Sequence, residues 1–134
     1  MQLPGLRLDD VAGLPWRATR DAGVFWIPLQ LVEESSEGAR RGGGTVLILM
    51  EPGCGYAAHR HVGWEHVLVL RGGYRDQQGE YRAGEFVHYP AGSQHAPVAL
   101  GERGRPSGPD NPVCVLYAST PLGIELLERG GRGE

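Results

Sequence analysis

The sequence predicts an all-β domain, a barrel of short antiparallel strands. Glycine (22 residues) and proline (10 residues) recur through the 134-residue chain and divide it into short segments. These segments either alternate in hydrophobicity with period two or form continuous β-branched runs, both of which are typical of strands. No convincing helix is found, because the best candidate, residues 122–129, is short and interrupted by Gly123. Many short strands without intervening helices favour a closed or sandwiched architecture, of which a jelly roll is the natural choice.

Each strand is predicted from an apolar or alternating run that ends at a turn. Glycines in these turns can adopt a positive φ, which a sharp reversal often needs. The turns that separate the strands contain Pro52-Gly53, Gly72-Gly73, Gln78-Gly79 and Ala83-Gly84. The predicted strands are 24–32, 45–50, 65–70, 73–76, 79–82, 85–89, 113–119 and 124–128.

Two of these strands indicate that something covers the outside of the barrel. Residues 45–50 are apolar on both faces. In 65–70, alternation turns Glu65, Val67 and Val69 inward and leaves leucines on the outer face. A sheet that is apolar on both sides is normally covered. We expect this cover to come from an N-terminal arm or from a second subunit, and a homodimer is favoured over a monomer.

The chain is expected to form one domain with short terminal extensions. Residues 1–20 are predicted to be an arm that packs on the barrel or on a partner subunit. Residues 21–129 form the barrel, and residues 130–134 form a flexible tail. The apolar residues of the arm that would make this contact are Leu6, Leu8, Val11 and Leu14.

Composition and charge exclude several functional classes. The net charge of -3 at pH 7 argues against nucleic-acid binding, which usually shows a basic stripe. All 13 basic residues are arginine, so lysine Schiff-base chemistry is impossible. Cys54 and Cys114 form no CxxC pair and are expected to be free, buried thiols. No signal peptide and no apolar run of about 18 residues are found, so a soluble, cytoplasmic protein is expected, with no membrane partner.

The segment His59-Arg60-His61-Val62-Gly63-Trp64-Glu65 is the most informative part of the sequence. If it is extended, the side chains at positions i, i+2 and i+6 share one face, which would bring His59, His61 and Glu65 together. His95 is a fourth candidate ligand. Imidazole and carboxylate ligands suit one divalent first-row metal such as Fe, Mn, Ni, Zn or Cu, without selecting among them. Glu65 could instead accept a hydrogen bond from a ligating histidine, which would leave a three-histidine site.

Two segments have spacings that are hard to obtain by accident. The first reads Gly53, five residues, His59-x-His61, three residues, Glu65, six residues, Gly72. The second reads Gly84, five residues, Pro90-x-Gly92, two residues, His95. These segments resemble the paired motifs of the cupin superfamily. Ala99 stands where the second motif often ends in an asparagine, a residue that is not a metal ligand in the family.

Within this superfamily, the chain resembles single-domain bacterial cupins of the ChrR-like type and small diketone dioxygenases. The shared stretches are His-Arg-His, Glu-His-Val-Leu-Val-Leu-Arg-Gly-Gly-Tyr and Tyr-Pro-Ala-Gly-Ser-x-His. The resemblance implies a double-stranded β-helix, the jelly-roll barrel of cupins. It also implies that His59, His61 and Glu65 bind one metal ion together with His95, which reaches the site from across the barrel.

The resemblance leaves the function open between two classes. The first is a non-haem metal-dependent dioxygenase that acts on a small oxygenated organic molecule inside the barrel. The second is a non-catalytic metal or small-molecule sensor related to the cupin domain of ChrR-type anti-sigma factors. A third hypothesis, outside these two classes, is a small isomerase or lyase that uses the metal as a Lewis acid; it would need a general base, for which Tyr74 and Glu80 are the candidates. The aromatic residues near the ligands could line an apolar pocket or simply pack in the core, namely Tyr56, Trp64, Phe86 and Tyr89.

Overall fold

The computed structural model of the protein describes residues 5–32 and 36–127, and this part of the chain is almost entirely β. The eight predicted strands are all present, with ends that differ from the prediction by at most two residues; residue 128, the predicted end of the last one, lies outside the described residues. The strands are β1 (Arg17–Ala18), β2 (Val24–Leu31), β3 (Ser36–Glu37), β4 (Arg40–Arg41), β5 (Gly44–Met50), β6 (His59–His61), β7 (Glu65–Arg71), β8 (Gly73–Asp76), β9 (Gly79–Arg82), β10 (Phe86–Tyr89), β11 (Gln94–His95), β12 (Val98–Ala99), β13 (Cys114–Thr120) and β14 (Ile124–Leu126).

The strands form three antiparallel sheets around one interior. The largest has the order β1-β2-β5-β13-β7-β10, the second β11-β6-β14-β4-β3 and the third β12-β8-β9. Most neighbours are distant in sequence: β13 lies between β5 and β7, and β14 lies between β6 and β4. Long connections of this kind, in antiparallel sheets folded over one core, are those of a jelly roll. The predicted all-β barrel is therefore confirmed.

Strand β7 shows how alternation directs side chains to the interior. Glu65, Val67 and Val69 are buried, whereas His66 and Leu68 between them are only partly buried. Inward side chains of the large sheet, including those of β10, meet those of β8 and β12 in one core, as expected for a closed barrel. The buried members of this core are Val24, Met50, Val67, Val69, Tyr74, Val87, Tyr89, Ala99, Cys114, Leu116 and Ala118.

The outer face of the large sheet is covered in part by residues from its own chain. Val11 packs against Leu49 of β5 and Val115 of β13, and Trp16 packs against the same cluster. The indole Nε1 of Trp16 also donates a hydrogen bond of 2.8 Å to the carbonyl of Val11. At this position, therefore, the apolar outer face needs no second subunit to cover it.

The N-terminal region also contains the helical element that the sequence did not predict, a 3-10 helix at Leu8–Gly13. Six residues in this tight conformation are too few to produce a periodicity that can be recognised.

The division into an arm (1–20) and a barrel (21–129) stays a prediction, and the predicted tail (130–134) lies outside the described residues. Across 5–32 and 36–127, no helix has the length and apolar character that crossing a membrane requires.

Both cysteines are buried free thiols, as the sequence indicated. Cys114 lies on β13 in the core, and burial raises its thiol pKa to about 12. At neutral pH this thiol is therefore protonated and is a poor nucleophile or metal ligand.

Candidate metal centre

The four predicted ligand residues meet where two sheets approach each other. His59 and His61 lie on β6, and His95 lies on β11, directly opposite His59 in the antiparallel pair. Glu65 begins β7 of the large sheet. Residues 59–65 do not form one extended strand, because the chain bends at Val62 and Gly63 and passes from one sheet to the other. The condition on which a shared strand face depended is therefore not met. Glu65 reaches the histidines across this bend and not along a shared strand face.

The candidate ligand atoms converge on one small volume. One atom from each of His59, His61, Glu65 and His95 lies within 4.8 Å of the other three, and all four residues are buried. The Nε2 atoms of His59 and His95 are 3.1 Å apart. Glu65 Oε1 lies 2.7 Å from His61 Nε2 and 4.0 Å from His95 Nε2. The four side chains could therefore hold a single metal ion.

Hydrogen bonds at Nδ1 fix how the first two imidazoles are protonated. His59 Nδ1 lies 2.8 Å from the carbonyl oxygen of Ala57, which can only accept, so Nδ1 carries the proton. His61 Nδ1 lies 3.0 Å from Ser93 Oγ. That hydroxyl already donates to the carbonyl of Pro90 at 2.6 Å, so it accepts from His61. Both rings therefore turn an unprotonated Nε2 toward the centre.

The third imidazole is held by a residue that the sequence did not single out. His95 Nδ1 lies 2.9 Å from Asp76 Oδ2, on β8 of the small sheet. A carboxylate also accepts, so His95 likewise turns the Nε2 lone pair inward. Ser93 could have been recognised as a hydrogen-bond partner from its place two residues before His95, whereas nothing in the sequence distinguishes Asp76.

Two features of this cluster are unfavourable without a cation. The facing Nε2 lone pairs of His59 and His95 repel each other at 3.1 Å when both rings are protonated at Nδ1. His61 Nε2 is fully buried and lies 2.7 Å from Glu65 Oε1, but with the ring proton on Nδ1 both atoms are acceptors, so Nε2 makes no hydrogen bond within the described residues. A buried polar atom without a partner is costly. A bound divalent cation would remove both problems, so the donor set fits a metal.

The electrostatic environment keeps the imidazoles of His59 and His95 neutral. Burial, followed by the neighbouring His95, lowers the pKa of His59 to about 4. Burial is also the main cause of a lowered pKa at His95, although the hydrogen bond to Asp76 opposes it. Neutral imidazole is the form that binds metal, so these rings are ready to bind it near pH 7.

This lowered pKa predicts how the metal-free protein responds to acid. An unfolded histidine titrates near 6.5 and folded His59 near 4, so the unfolded chain binds more protons between these values. Stability should therefore fall as the pH drops from 6.5 to 4, by up to about 3 kcal/mol from this residue. Urea unfolding of metal-free wild type and His59→Asn across this range measures the difference. His66→Asn is the control, and a wild-type stability that tracks His59→Asn at every pH would contradict the assignment.

A cavity of about 740 Å³ extends from the cluster between the sheets. Its walls are mainly apolar side chains of β2, β5, β13 and β14, together with Tyr56 and Tyr74. Polar groups on its lining include Thr19, Asp21 and Arg41. A site of this size and character suits a small organic molecule.

The remaining sequence candidates separate into interior and surface residues. Tyr56 lines the cavity with its ring edge against His59, at a centroid distance of 5.2 Å. Tyr89 is buried in the core with its ring against His95, at 4.4 Å. Trp64 and Phe86 are 41% and 61% exposed and lie outside the cavity lining. Neither of these two exposed aromatic residues can therefore contact a molecule held in the cavity.

Neither predicted general base is well suited to that role. Glu80 is partnered with Arg82 at the protein surface. Tyr74 lines the cavity, but its hydroxyl is 2.6 Å from that of Tyr89, and burial raises its pKa well above the ordinary value. These positions argue against isomerase or lyase chemistry that relies on either residue.

The other two histidines lie on the outer face of the large sheet. His66 of β7 is opposite His88 of β10, and Nε2 of the first is 3.0 Å from Nδ1 of the second. Trp64 and Phe86 flank this pair, with ring centroids 4.4 and 5.0 Å from that of His66. His66 therefore points away from the four candidate ligands.

Comparisons with known proteins agree with this fold. Residues 7–105 match the family model described as the ChrR Cupin-like domain. A chain of the crystal structure of Rhodobacter sphaeroides SigE in complex with the anti-sigma ChrR is 27% identical with a TM-score of 0.59. The match covers 85% of this chain but 50% of that one, so this chain spans about half its length. No protein with a curated description matches the sequence.

More distant structures show the fold alone. An acetylacetone dioxygenase from Acinetobacter johnsonii is 15% identical with a TM-score of 0.63, and the match covers 98% of this chain and 81% of that one. The polyketide cyclase RemF from Streptomyces resistomycificus is 15% identical with a TM-score of 0.59, covering 90% and 84%. The barrel is thus shared with proteins described by different activities, so the activity of this chain has to be argued from its own site.

Proposed function

The chain belongs to the ChrR cupin-like family, and from this premise we propose that it is a non-haem metal-dependent dioxygenase for a small oxygenated organic molecule. The observation that carries the proposal is a buried cluster of three Nε2 lone pairs and one carboxylate beside an apolar cavity of about 740 Å³. His59, His61, His95 and Glu65 would hold one divalent ion: Fe, Zn, Mn, Ni or Cu. Such an ion supplies Lewis acidity and, when it is redox-active, chemistry with dioxygen.

The residues around the cluster would bind and orient the substrate. The apolar walls exclude water, which strengthens polar interactions at the centre. Burial raises the pKa of Tyr56, so its hydroxyl stays protonated at neutral pH and can donate a hydrogen bond to a substrate oxygen. A molecule with one or two carbonyl or hydroxyl groups on an apolar frame fits this combination.

Oxygen consumption tests this activity even though the substrate is not identified. The untagged protein is loaded with Fe(II) and offered a panel of diketones and phenolic ketones. We expect oxygen uptake that matches substrate loss for at least one compound and that is abolished in His61→Ala. Glu80→Gln, changed at an exposed position away from the cavity, should keep the wild-type rate. Absence of oxygen uptake across the panel, with Mn, Ni, Zn and Cu also tried in place of Fe(II), would contradict the enzyme proposal.

The alternative function is a non-catalytic sensor or binding module. It is favoured by the family match and by the likeness to a chain from a complex between an anti-sigma and a sigma factor. A sensor is expected to retain zinc tightly through purification and to show no turnover. Because an enzyme could also retain zinc, zinc retention alone does not distinguish a sensor from an enzyme. A sensor function requires both zinc retention and the absence of turnover.

A homodimer stays a prediction, with the exposed outer face of the large sheet as its candidate surface. Phe86, Leu68 and Tyr117 lie in register across β10, β7 and β13, and Phe86 is 61% exposed. Burying this row against a second copy would remove apolar area from water. Sedimentation analysis should give a dimer for wild type and a monomer for Phe86→Glu. Arg82→Gln, which makes the same change of −1 in net charge, is the control and should stay dimeric. A monomeric wild type would contradict the prediction.

A cytoplasmic location also stays a prediction, as does the absence of nucleic-acid and membrane partners.

A further inference from the structure

The carboxylate of Asp76 collects three hydrogen-bond donors in the interior of the barrel. Its side chain is fully buried. Oδ2 lies 2.9 Å from His95 Nδ1 and accepts a bond of 2.7 Å from the hydroxyl of Tyr89. Oδ1 accepts a bond of 2.9 Å from the backbone N–H of Gln78. Every partner donates, so the group is held in its ionised, acceptor-only form.

The direction of the surrounding hydrogen bonds agrees with this state. Because Tyr89 donates its proton to Asp76, its oxygen accepts from the hydroxyl of Tyr74 at 2.6 Å. Protons therefore point from Tyr74 to Tyr89 and on to Asp76, while His95 donates from the opposite side. Burial by itself raises the pKa of Asp76, but the bonds from Tyr89 and His95 oppose it, and the net pKa lies below the ordinary value.

Asp76 distinguishes His95 from the other two imidazoles. The Nδ1 partners of His59 and His61 are uncharged, namely the carbonyl of Ala57 and the hydroxyl of Ser93. An anionic partner holds a ring in the Nδ1–H form more strongly and makes the opposite nitrogen a better ligand. From this asymmetry, and on the basis of the proposed metal function, we infer that Asp76 is a positioning residue. It fixes His95 with Nε2 toward the ion and strengthens the bond that this nitrogen would make to the ion.

Asp76→Asn tests the inference with the smallest change in shape. All three partners of Asp76 donate, so the NH2 group of the new asparagine must face a donor in either orientation. If the NH2 group faces His95, Nδ1 has to accept its hydrogen bond and the ring takes the Nε2–H form, in which Nε2 cannot bind a metal. We expect the affinity for Co(II), measured by competition with a chromophoric chelator, to fall about 10- to 100-fold. The visible spectrum of bound Co(II) should also change, which a purely structural role would not cause.

Two matched variants separate the anionic contact from general packing. Tyr89→Phe keeps the ring that packs on His95 but removes one neutral donor, so Co(II) affinity should stay within roughly threefold of wild type. Ser93→Ala removes the neutral partner of His61 and should weaken binding less than Asp76→Asn does. Thermal unfolding of the metal-free proteins checks that each variant is folded.

A measurement on the wild type covers the case in which Asp76→Asn does not fold. A ¹H–¹⁵N spectrum of the histidine rings in the metal-free protein should show His95 as the Nδ1–H tautomer, and the Nε2–H tautomer would overturn the inference. Folded Asp76→Asn that binds Co(II) as tightly as wild type would overturn the inference and leave the proposed metal function intact. A wild type that binds no Co(II) would overturn both.

Discussion

Replacing His61 or His95 by alanine is expected to lower metal affinity by more than about 100-fold, because loss of a ligand exceeds the 10- to 100-fold effect of losing its hydrogen-bond partner. His61 is completely buried, and its Nε2 lies beside Glu65 Oε1 at 2.7 Å. His95 Nε2 faces that of His59 across the same volume. Metal content after dialysis, together with chelator competition, measures the effect in protein purified without a histidine tag.

His66→Ala is the matched control for these two variants. It removes the same type of side chain from β7, the strand that follows β6 in the chain, but His66 points outward and contacts His88. We expect wild-type metal content in this variant. Wild-type metal content in His61→Ala and His95→Ala would remove the basis for the site.

Glu65→Gln decides between a four-ligand site and a three-histidine site. A loss of metal affinity as large as that of His61→Ala indicates that the carboxylate binds the metal directly. A loss of about 10- to 100-fold indicates that it acts through a histidine. The distances of 2.7 and 4.0 Å to two different rings are compatible with either arrangement.

Gly72→Ala is expected to destabilise the fold by about 3 to 4 kcal/mol. Gly72 joins β7 to β8 with φ +65, and an added Cβ would lie 2.3 Å from the carbonyl oxygen of Val113, just before β13. The left-handed conformation accounts for about 1 to 2 kcal/mol of this cost, and the remainder comes from displacing the backbone. Urea unfolding measures the change in the free energy of unfolding.

Gly84→Ala isolates the conformational part of that cost. Gly84 has φ +95, but nothing lies within 4 Å of the position of an added Cβ. The loss of stability in this variant should therefore be about 1 to 2 kcal/mol, from backbone conformation alone. Equal losses in the two variants would show that contact with the segment before β13 is not what requires glycine at position 72.

The sequence was most informative about the fold where its signal is local. The alternation of β7 and the glycines of the turns are properties of neighbouring residues, so all seven strands of four or more residues could be predicted, together with the shorter β14. The strands that were missed have only two or three residues, such as β11 and β12, and a pattern of period two cannot be recognised over that length. They are defined by their partners in the sheet.

The same distinction applies to the candidate site. The spacing of His59, His61 and His95 predicted residues that the structure brings together. Glu65 does join the histidines, but not along one strand face, because Gly63 lies in a bend and the extended conformation that such a face requires is not formed. Asp76 could not be predicted, since it lies 19 positions before His95 and only the packing of two different sheets joins them.

The position of a bound metal ion tests the proposed centre most directly. A crystal of the untagged protein loaded with Zn(II) or Co(II), measured at the absorption edge of that metal, locates the ion by its anomalous scattering. We expect one strong peak per chain, about 2.0 to 2.2 Å from the Nε2 atoms of His59, His61 and His95. A peak only elsewhere, for example at the surface pair His66 and His88, or no peak at all in the loaded protein, would contradict the proposed centre.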